Sequence, residues 1–277
     1  YNHVNFIRDA IEGFLMQETT FPVEIFVHDD ASTDGTAEII AEYVAQYSKF
    51  MTCKLRDENI FRHNERNEIV EAFFSGMRGE YSAYCEGDDY WIDERKLETQ
   101  VQFLEANPDY SGSCHETLVV KDGRKLNKVY GKALGKQVLL ADTIATLAPF
   151  HTSSFVVRRS VLPDLGKLPR VVSGDMRLFS LAAGSGPLWK TPGALSVYRQ
   201  HEGGITKSPQ VKKNFHNDRI KLMEWLRAYH GEKVSDEIAA VIRCHQLEIK
   251  KVQESQLEQF LFPSLSPRNP DRFFIRQ

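Results

Sequence analysis

Three carboxylates stand within four residues in Glu86-Gly87-Asp88-Asp89, just before Tyr90-Trp91 and after the run Tyr81-Ser82-Ala83-Tyr84-Cys85. Like charges that close are costly to bury unless a cation, hydrogen bonds or open water compensates them. The small and aromatic run before them reads as a buried strand, so the cluster sits at a strand exit and points to a metal site or a solvated cleft. A second acidic pair, Asp29-Asp30, closes the apolar run Val23 to His28, and Asp175 stands at the opening of a helix that begins with Gly174. The turn Asp30-Ala31-Ser32-Thr33-Asp34-Gly35 has the opening spacing of a calcium-binding loop. Ala41 occupies the place of the bidentate glutamate, and a strand precedes the turn where a helix should, which argues against that reading. Capping of the next helix by Ser32, Thr33 or Asp34 is the simpler account, although it leaves Asp29 and Asp30 unexplained. Carboxylates at such a strand end can accept hydrogen bonds from a nucleobase or from ribose hydroxyls.

The elements that must position these groups follow from periodicity. Phe6, Ile7, Ile11, Phe14 and Leu15 predict a helix over residues 4 to 17, and Val23 to His28 predicts a strand. Ile39, Ile40, Tyr43, Val44 and Tyr47 predict a helix over 36 to 47. A strand over 51 to 55, a helix near 66 to 77 and the strand before the acidic cluster follow. This strand-and-helix alternation implies an α/β fold with a doubly wound sheet, in which ligands collect beyond the carboxyl ends of the strands. Lys96 to Asn107 is a further helix, Tyr110 to Val120 a strand, and Lys121-Asp122-Gly123-Arg124 a hairpin turn. Residues 138 to 148 read as a helix, 154 to 158 as a strand, and Ser196 to Arg199 as a last strand. From Val211 to about Gln259 the pattern is long, charged and helical, broken at His230-Gly231, and the tail from Pro263 is rich in proline, serine and arginine.

Composition sets broader bounds. The chain of 277 residues is 42% hydrophobic and 26% charged, an ordinary globular balance, and its formal charge of −3 gives no hint of nucleic-acid binding. No apolar run approaches the roughly 18 residues a spanning helix needs. Cys53, Cys85, Cys114 and Cys244 are scattered without a CxxC pair, which fits reduced thiols in a cytoplasmic compartment.

Tyr1-Asn2-His3, VHDDASTDGT from Val27, GEYSAYCEGDDYW from Gly79 and KLETQVQFLEANPDY from Lys96 occur in an order that resembles the family-two inverting glycosyltransferases of the GT-A fold. The likeness is strongest to bacterial members that build surface polysaccharides, and it spans residues 1 to about 206. It implies a GT-A fold, with a mainly parallel or mixed central sheet and a catalytic domain over 1–206, followed by a helical extension over 207–277. In that family a first strand precedes the Tyr-Asn-His segment, so this chain is expected to lack it.

The resemblance also implies roles. Glu86-Gly87-Asp88-Asp89 stands for the family's DXD-type motif, and Mg2+ or Mn2+ is the implied cofactor, because hard oxygen ligands and phosphates suit those ions. Such a cation neutralises a departing diphosphate. Alternate residues of an extended chain face opposite ways, so Asp88 and Asp89 are not both expected to ligate the ion directly. Asp88, Asp89 and His201 are the implied metal residues. Asp29, Asp30, Glu86, Asp88, Arg62, Arg66 and His151 are the implied nucleotide-sugar residues, with solvated surface charge as the alternative for the two arginines. Asp175 matches the family's base, which would take the proton of the acceptor hydroxyl. The family often writes Glu before that aspartate, and this chain writes Gly174. Trp91 beside Tyr90 offers a stacking wall for an acceptor sugar, or else belongs to the core.

The implied partners are a nucleoside diphosphate sugar and a saccharide or lipid-linked acceptor. The C-terminal helices, with Phe215, Ile220, Leu222, Met223, Trp225 and Leu226 among basic residues, permit docking on the catalytic domain, self-association, or peripheral attachment at the inner face of a membrane. Docking is the simplest. Two other readings stand beside glycosyl transfer: a nucleotidyltransferase, which would usually show a Gly-rich basic phosphate loop near its start, and a non-catalytic sugar-nucleotide binder.

Overall fold

The computed structural model describes residues 1–261 except 62, 64, 169, 170, 172 and 205–208. Helix α1 (Ile7–Leu15) forms where Ile7, Ala10, Ile11 and Phe14 recur at helical spacing. Its buried Ile7 and Ile11 meet Ile39 and Ile40 of α2 (Thr36–Tyr47) and the inner residues of a small parallel sheet. That sheet pairs β1 (Ile25–Asp29) with β2 (Met51–Leu55), Ile25 opposite Met51 and Asp29 opposite Leu55.

Helix α3 (Arg66–Phe74) leads to the larger sheet, whose strands are β3 (Tyr81–Ala83), β4 (Tyr90–Trp91), β5 (Gly112–Lys121), β6 (Arg124–Val129), β7 (Gln137–Val138), β8 (Val156–Arg158) and β9 (Leu188–Gln200). The order is β3-β8-β5-β9-β4, with β6 added to β5 and β7 to β9. Strands β5 and β9 run parallel and the remaining pairs of this sheet antiparallel, so the sheet is mixed. Helix α4 (Lys96–Ala106) packs Leu97, Val101 and Leu104 with Trp91 and Val156. Within the expected helix over 138–148 only α5 (Leu140–Thr143) is helical. Strand β9 starts eight residues before Ser196. Pro192 and Gly193 hide that extension in the sequence, and a register shift between Cys114 and Glu116 of β5 absorbs them.

The last two helices, α7 (Pro209–His230) and α8 (Ser235–Leu261), dock on the sheet and helix that precede them. Leu222, Met223 and Leu226 of α7 and Ile238, Val241 and Ile242 of α8 share one apolar cluster with Val157, Leu188, and Met176, Phe179 and Ala182 of α6 (Gly174–Ser185). Each of these fully buried large side chains contributes about 1.5–3 kcal/mol relative to exposure. His230 Nε2 also lies 2.9 Å from the Ser180 hydroxyl. The apolar face of α7 is thus occupied by docking. Among the described residues no helix is long and apolar enough to cross a membrane. The boundary expected at 206 and 207, and the tail from Pro263, lie outside the described residues.

Lys96 is the largest fully buried side chain. Its ammonium donates to Gln100 Oε1 at 2.9 Å and lies 4.2 Å from the centre of the Trp91 ring. Burial pushes its pKa down to about 7 from 10.5. Between those values the unfolded chain binds a proton that the folded chain lacks, so this group makes stability rise with pH across the window. Urea unfolding from pH 7 to 10 is expected to show wild type gaining on Lys96→Met by up to about 1.4 kcal/mol per pH unit. A pH-independent difference would mean that Lys96 keeps its proton when folded.

Candidate active site

The acidic turn is built from its backbone. Asp89 N–H donates to the Glu86 carbonyl at 3.1 Å, closing a tight turn between β3 and β4. The turn separates the two aspartates. Asp88 points to one side, where its Oδ2 lies 3.0 Å from His201 Nε2 and 3.7 Å from His3 Nε2. Asp89 points inward and is 2% exposed. Its Oδ1 accepts the Arg199 N–H at 2.8 Å, and its Oδ2 lies 3.5 Å from His151 Nε2. Gly87 is required at the tip, because a Cβ there would stand 2.9 Å from His3 Nδ1 and 3.1 Å from Ile7 Cδ1.

Two carboxylate–imidazole groupings result. The outer one joins Asp88, His201 and His3. In the inner one, single ligand atoms of Glu86, Asp89 and His151 all lie within 4.8 Å of one another. Both donor sets suit a divalent cation that accepts oxygen and imidazole nitrogen. Among the described residues the inner grouping brings three such ligand atoms together, while in the outer one both imidazoles approach a single oxygen of Asp88.

Burial and crowding set the charges. Desolvation, followed by the like charges of Glu86 and Asp88, raises Asp89 well above the usual carboxylate range. Glu86 is pushed up to about 7 by desolvation, with the Asp175 and Asp88 charges adding to it and the Thr152 hydroxyl opposing. Its side chain is exposed to solvent. Burial drops His151 to about 4, which keeps it a neutral imidazole. Its Nδ1 accepts from the Ser153 N–H at 3.3 Å, and its ring stacks on Tyr198 at 4.5 Å and meets Tyr130 edge-on at 4.9 Å.

Asp175 lies in the first turn of α6. Ser173 before it takes φ +63, a left-handed conformation that a side chain adopts at a cost of about 1–2 kcal/mol. Asp175 is raised by desolvation, against which the Met176 N–H and the Arg219 charge act. Its charge acts on Glu86 of the acidic turn and on Tyr130.

The other expected site residues divide. Asp29 holds its own loop, accepting the Ser32 N–H at 2.8 Å and the Ser32 hydroxyl at 2.5 Å. Asp30 Oδ1 accepts the Ile60 N–H at 2.8 Å. Arg66 lies over the Phe61 ring at 5.6 Å, on the β1 side of the molecule, where its charge acts on His28. Arg62 lies outside the described residues. Trp91 is in the core: it is 6% exposed, packs edge-on against Phe14 and donates Nε1–H to the Ser153 carbonyl at 2.8 Å. It therefore braces the segment that carries His151 and presents no face to an acceptor. Tyr90 is covered by the Arg199 guanidinium at 4.0 Å.

His3 is a residue that the motif reading passed over. The turn after β1 places it: Ser32 Oγ, Thr36 Oγ1 and Asp34 Oδ2 accept the N–H groups of Asn2, His3 and Val4 at 2.8, 2.8 and 3.1 Å. The signal was present in Tyr1-Asn2-His3, but only these contacts carry it to Asp88.

Comparison with known proteins fits this arrangement. The family model described as Glycosyl transferase family 2 matches residues 1–166. An uncharacterized protein of Mycobacterium tuberculosis is 32% identical over 274 residues, covering 96% of this chain and 78% of its own length. TuaG of Bacillus subtilis, named for a glycosyltransferase of teichuronic acid biosynthesis, is 30% identical over 128 residues, 46% of this chain and 48% of its own. Among solved structures, Staphylococcus aureus TarS in complex with UDP superposes with a TM-score of 0.59 at 18% identity, over 87% of this chain and 67% of that one. The mannosyltransferase PcManGT of Pyrobaculum calidifontis, in complex with GDP-Man and Mn2+, gives 0.56 at 18% identity, over 93% and 78%. At that identity the two structures show a shared fold.

Proposed function

This chain belongs to glycosyl transferase family 2, and from that membership we propose that it moves a hexose-type residue from a nucleoside diphosphate sugar to a saccharide or lipid-linked acceptor, with inversion. The observation that carries the reading is the contact of Asp88 in the acidic turn with His201, with the charge of Asp175 acting on Glu86 of the same turn. Asp88 and His201 would hold a divalent cation, Mg2+ or Mn2+, which supplies positive charge against the departing diphosphate. UDP and GDP-Man with Mn2+ in the two fold neighbours support a nucleotide-sugar donor and a metal. Asp175 takes the proton from the acceptor hydroxyl as its oxygen attacks the anomeric carbon on the face opposite the phosphate. The C1–O bond to phosphate breaks in the same step, so one displacement inverts the centre.

His151, neutral and held by Ser153, Tyr130 and Tyr198, lines the sugar side, and Glu86 offers its carboxylate to sugar or ribose hydroxyls. Asp29, Asp30 and Arg66 belong to the nucleoside end of the same site, with Arg62 assigned there from its place in the loop. Residues 1–206 form the catalytic unit and 207–277 the extension that docks on it. The name of TuaG supports a place in polysaccharide synthesis, and a lipid-linked acceptor would put the reaction at the cytoplasmic side of a membrane.

The test is a panel of nucleoside diphosphate sugars assayed with the full chain by calorimetry and by release of nucleoside diphosphate, with and without Mn2+. One donor is expected to bind and turn over only with metal. Absence of binding by every donor in the presence of Mn2+ would remove the donor site, and binding without transfer to any acceptor would favour a sugar-nucleotide binder.

A further inference from the structure

Arg219 is a charged side chain that the reading above leaves without a task. It comes from α7, in the C-terminal extension, and is 4% exposed. Its Nη1 contacts the Met176 sulfur, its guanidinium lies 5.2 Å from the centre of the Phe215 ring, and its Nε has no hydrogen-bond partner among the described residues. A buried guanidinium is costly unless an anion compensates it. Among the described residues no carboxylate forms an ion pair with Arg219. The groups that face it are Asp175 from the first turn of α6, Tyr130 following β6, and His245 from α8, itself 2.9 Å from His216. Of these only Asp175 is a carboxylate, and Met176, which Arg219 touches, is its neighbour in the chain. Among the described residues Arg219 is the one cation whose charge acts on Asp175.

We propose that Arg219 is a positioning residue for Asp175: from the docked extension its buried guanidinium packs on Met176 in the first turn of α6 and sets a fixed positive charge beside the carboxylate next to it in the chain. The inference rests on the reading of Asp175 as the base. It makes the C-terminal helix pair part of the active site, because catalysis then depends on a side chain of α7.

The experiment uses the full chain, Mn2+ and the donor and acceptor found by the panel above, with turnover read as nucleoside diphosphate release. Arg219→Met and Arg219→Gln, both uncharged, are expected to lower kcat about 100-fold, with KM for donor within about twofold of wild type. Arg219→Lys, which keeps the charge and loses the fork, is expected to retain kcat within about tenfold. Melting temperatures of the three variants separate folding from chemistry. The inference is overturned if the neutral variants turn over like wild type, or if Lys and the neutral residues lower kcat equally at matched stability. Asp175→Asn tells the two readings apart: if it is active, the base assignment falls and this inference with it. If it is inactive while Arg219→Met is active, only the role of Arg219 falls.

Discussion

Asp175→Asn is expected to lower turnover by about 10²–10⁴-fold, the usual contribution of a positioned general base, while metal-dependent binding of nucleoside diphosphate stays as in wild type. The amide keeps the shape of the side chain and its place in the first turn of α6 but cannot take a proton. Desolvation raises Asp175, so the acid limb of the wild-type rate profile is expected above the pH of an ordinary aspartate. Below that limb the carboxyl is protonated and activity is lost, and in the variant the limb disappears. The sign for stability is the reverse of the sign for activity. A carboxyl raised on folding binds more protons in the folded chain across the interval between its unfolded and folded values, so its contribution falls as pH rises through that interval. Asp175→Asn is therefore expected to melt no lower than wild type near neutrality, and loss of rate in a well-folded protein identifies chemistry as the cause. Unchanged turnover would assign the base elsewhere.

Asp88→Asn is expected to have the second large effect, weakening Mn2+-dependent nucleoside diphosphate binding by about 10²–10³-fold. Asp88 is the carboxylate on which both outer imidazoles converge, and it presents an accessible oxygen to the crevice. Asp89 differs, because its Oδ1 is committed to the Arg199 N–H and its burial disfavours the anion. Calorimetry with Mn2+ and UDP or GDP distinguishes the two groupings. If Asp88→Asn binds like wild type and Asp89→Asn does not, the cation belongs to the inner grouping of Glu86, Asp89 and His151.

Much of the frame is legible in the chain because it depends on local periodicity. The ranges of α2, β2 and the start of α4 follow from apolar spacing. The C-terminal helices and their break at His230-Gly231 are equally visible, with Gly231 at φ +64 where the chain turns. Strand β9 is only partly legible. Pro192 and Gly193 interrupt a pattern that pairing with β5 sustains across a bulge, and such pairing links residues about 80 apart in sequence.

Trp91 and His3 mark the limit more sharply. An aromatic after an acidic turn is compatible with a sugar wall or a core. The choice fell to the core when Phe14, Lys96 and the Ser153 carbonyl closed around Trp91. His3 is compatible with surface or site, and the side chains of Ser32, Asp34 and Thr36 decided for the site by clamping the backbone of residues 2–4.

The sequence by itself thus determined the α/β character, the family and the chemical types available: a carboxylate cluster after a strand, a carboxylate opening a helix, imidazoles in turns. Those properties reside in residue types and short-range spacing. Tertiary structure alone decided which imidazole meets which carboxylate, that Trp91 supports and does not line the crevice, and that Arg219 reaches the first turn of α6 from a helix beyond the family-matched segment. Each of these is a contact between residues dozens of positions apart, and distance in a folded chain is set by packing of whole elements, which no local pattern encodes.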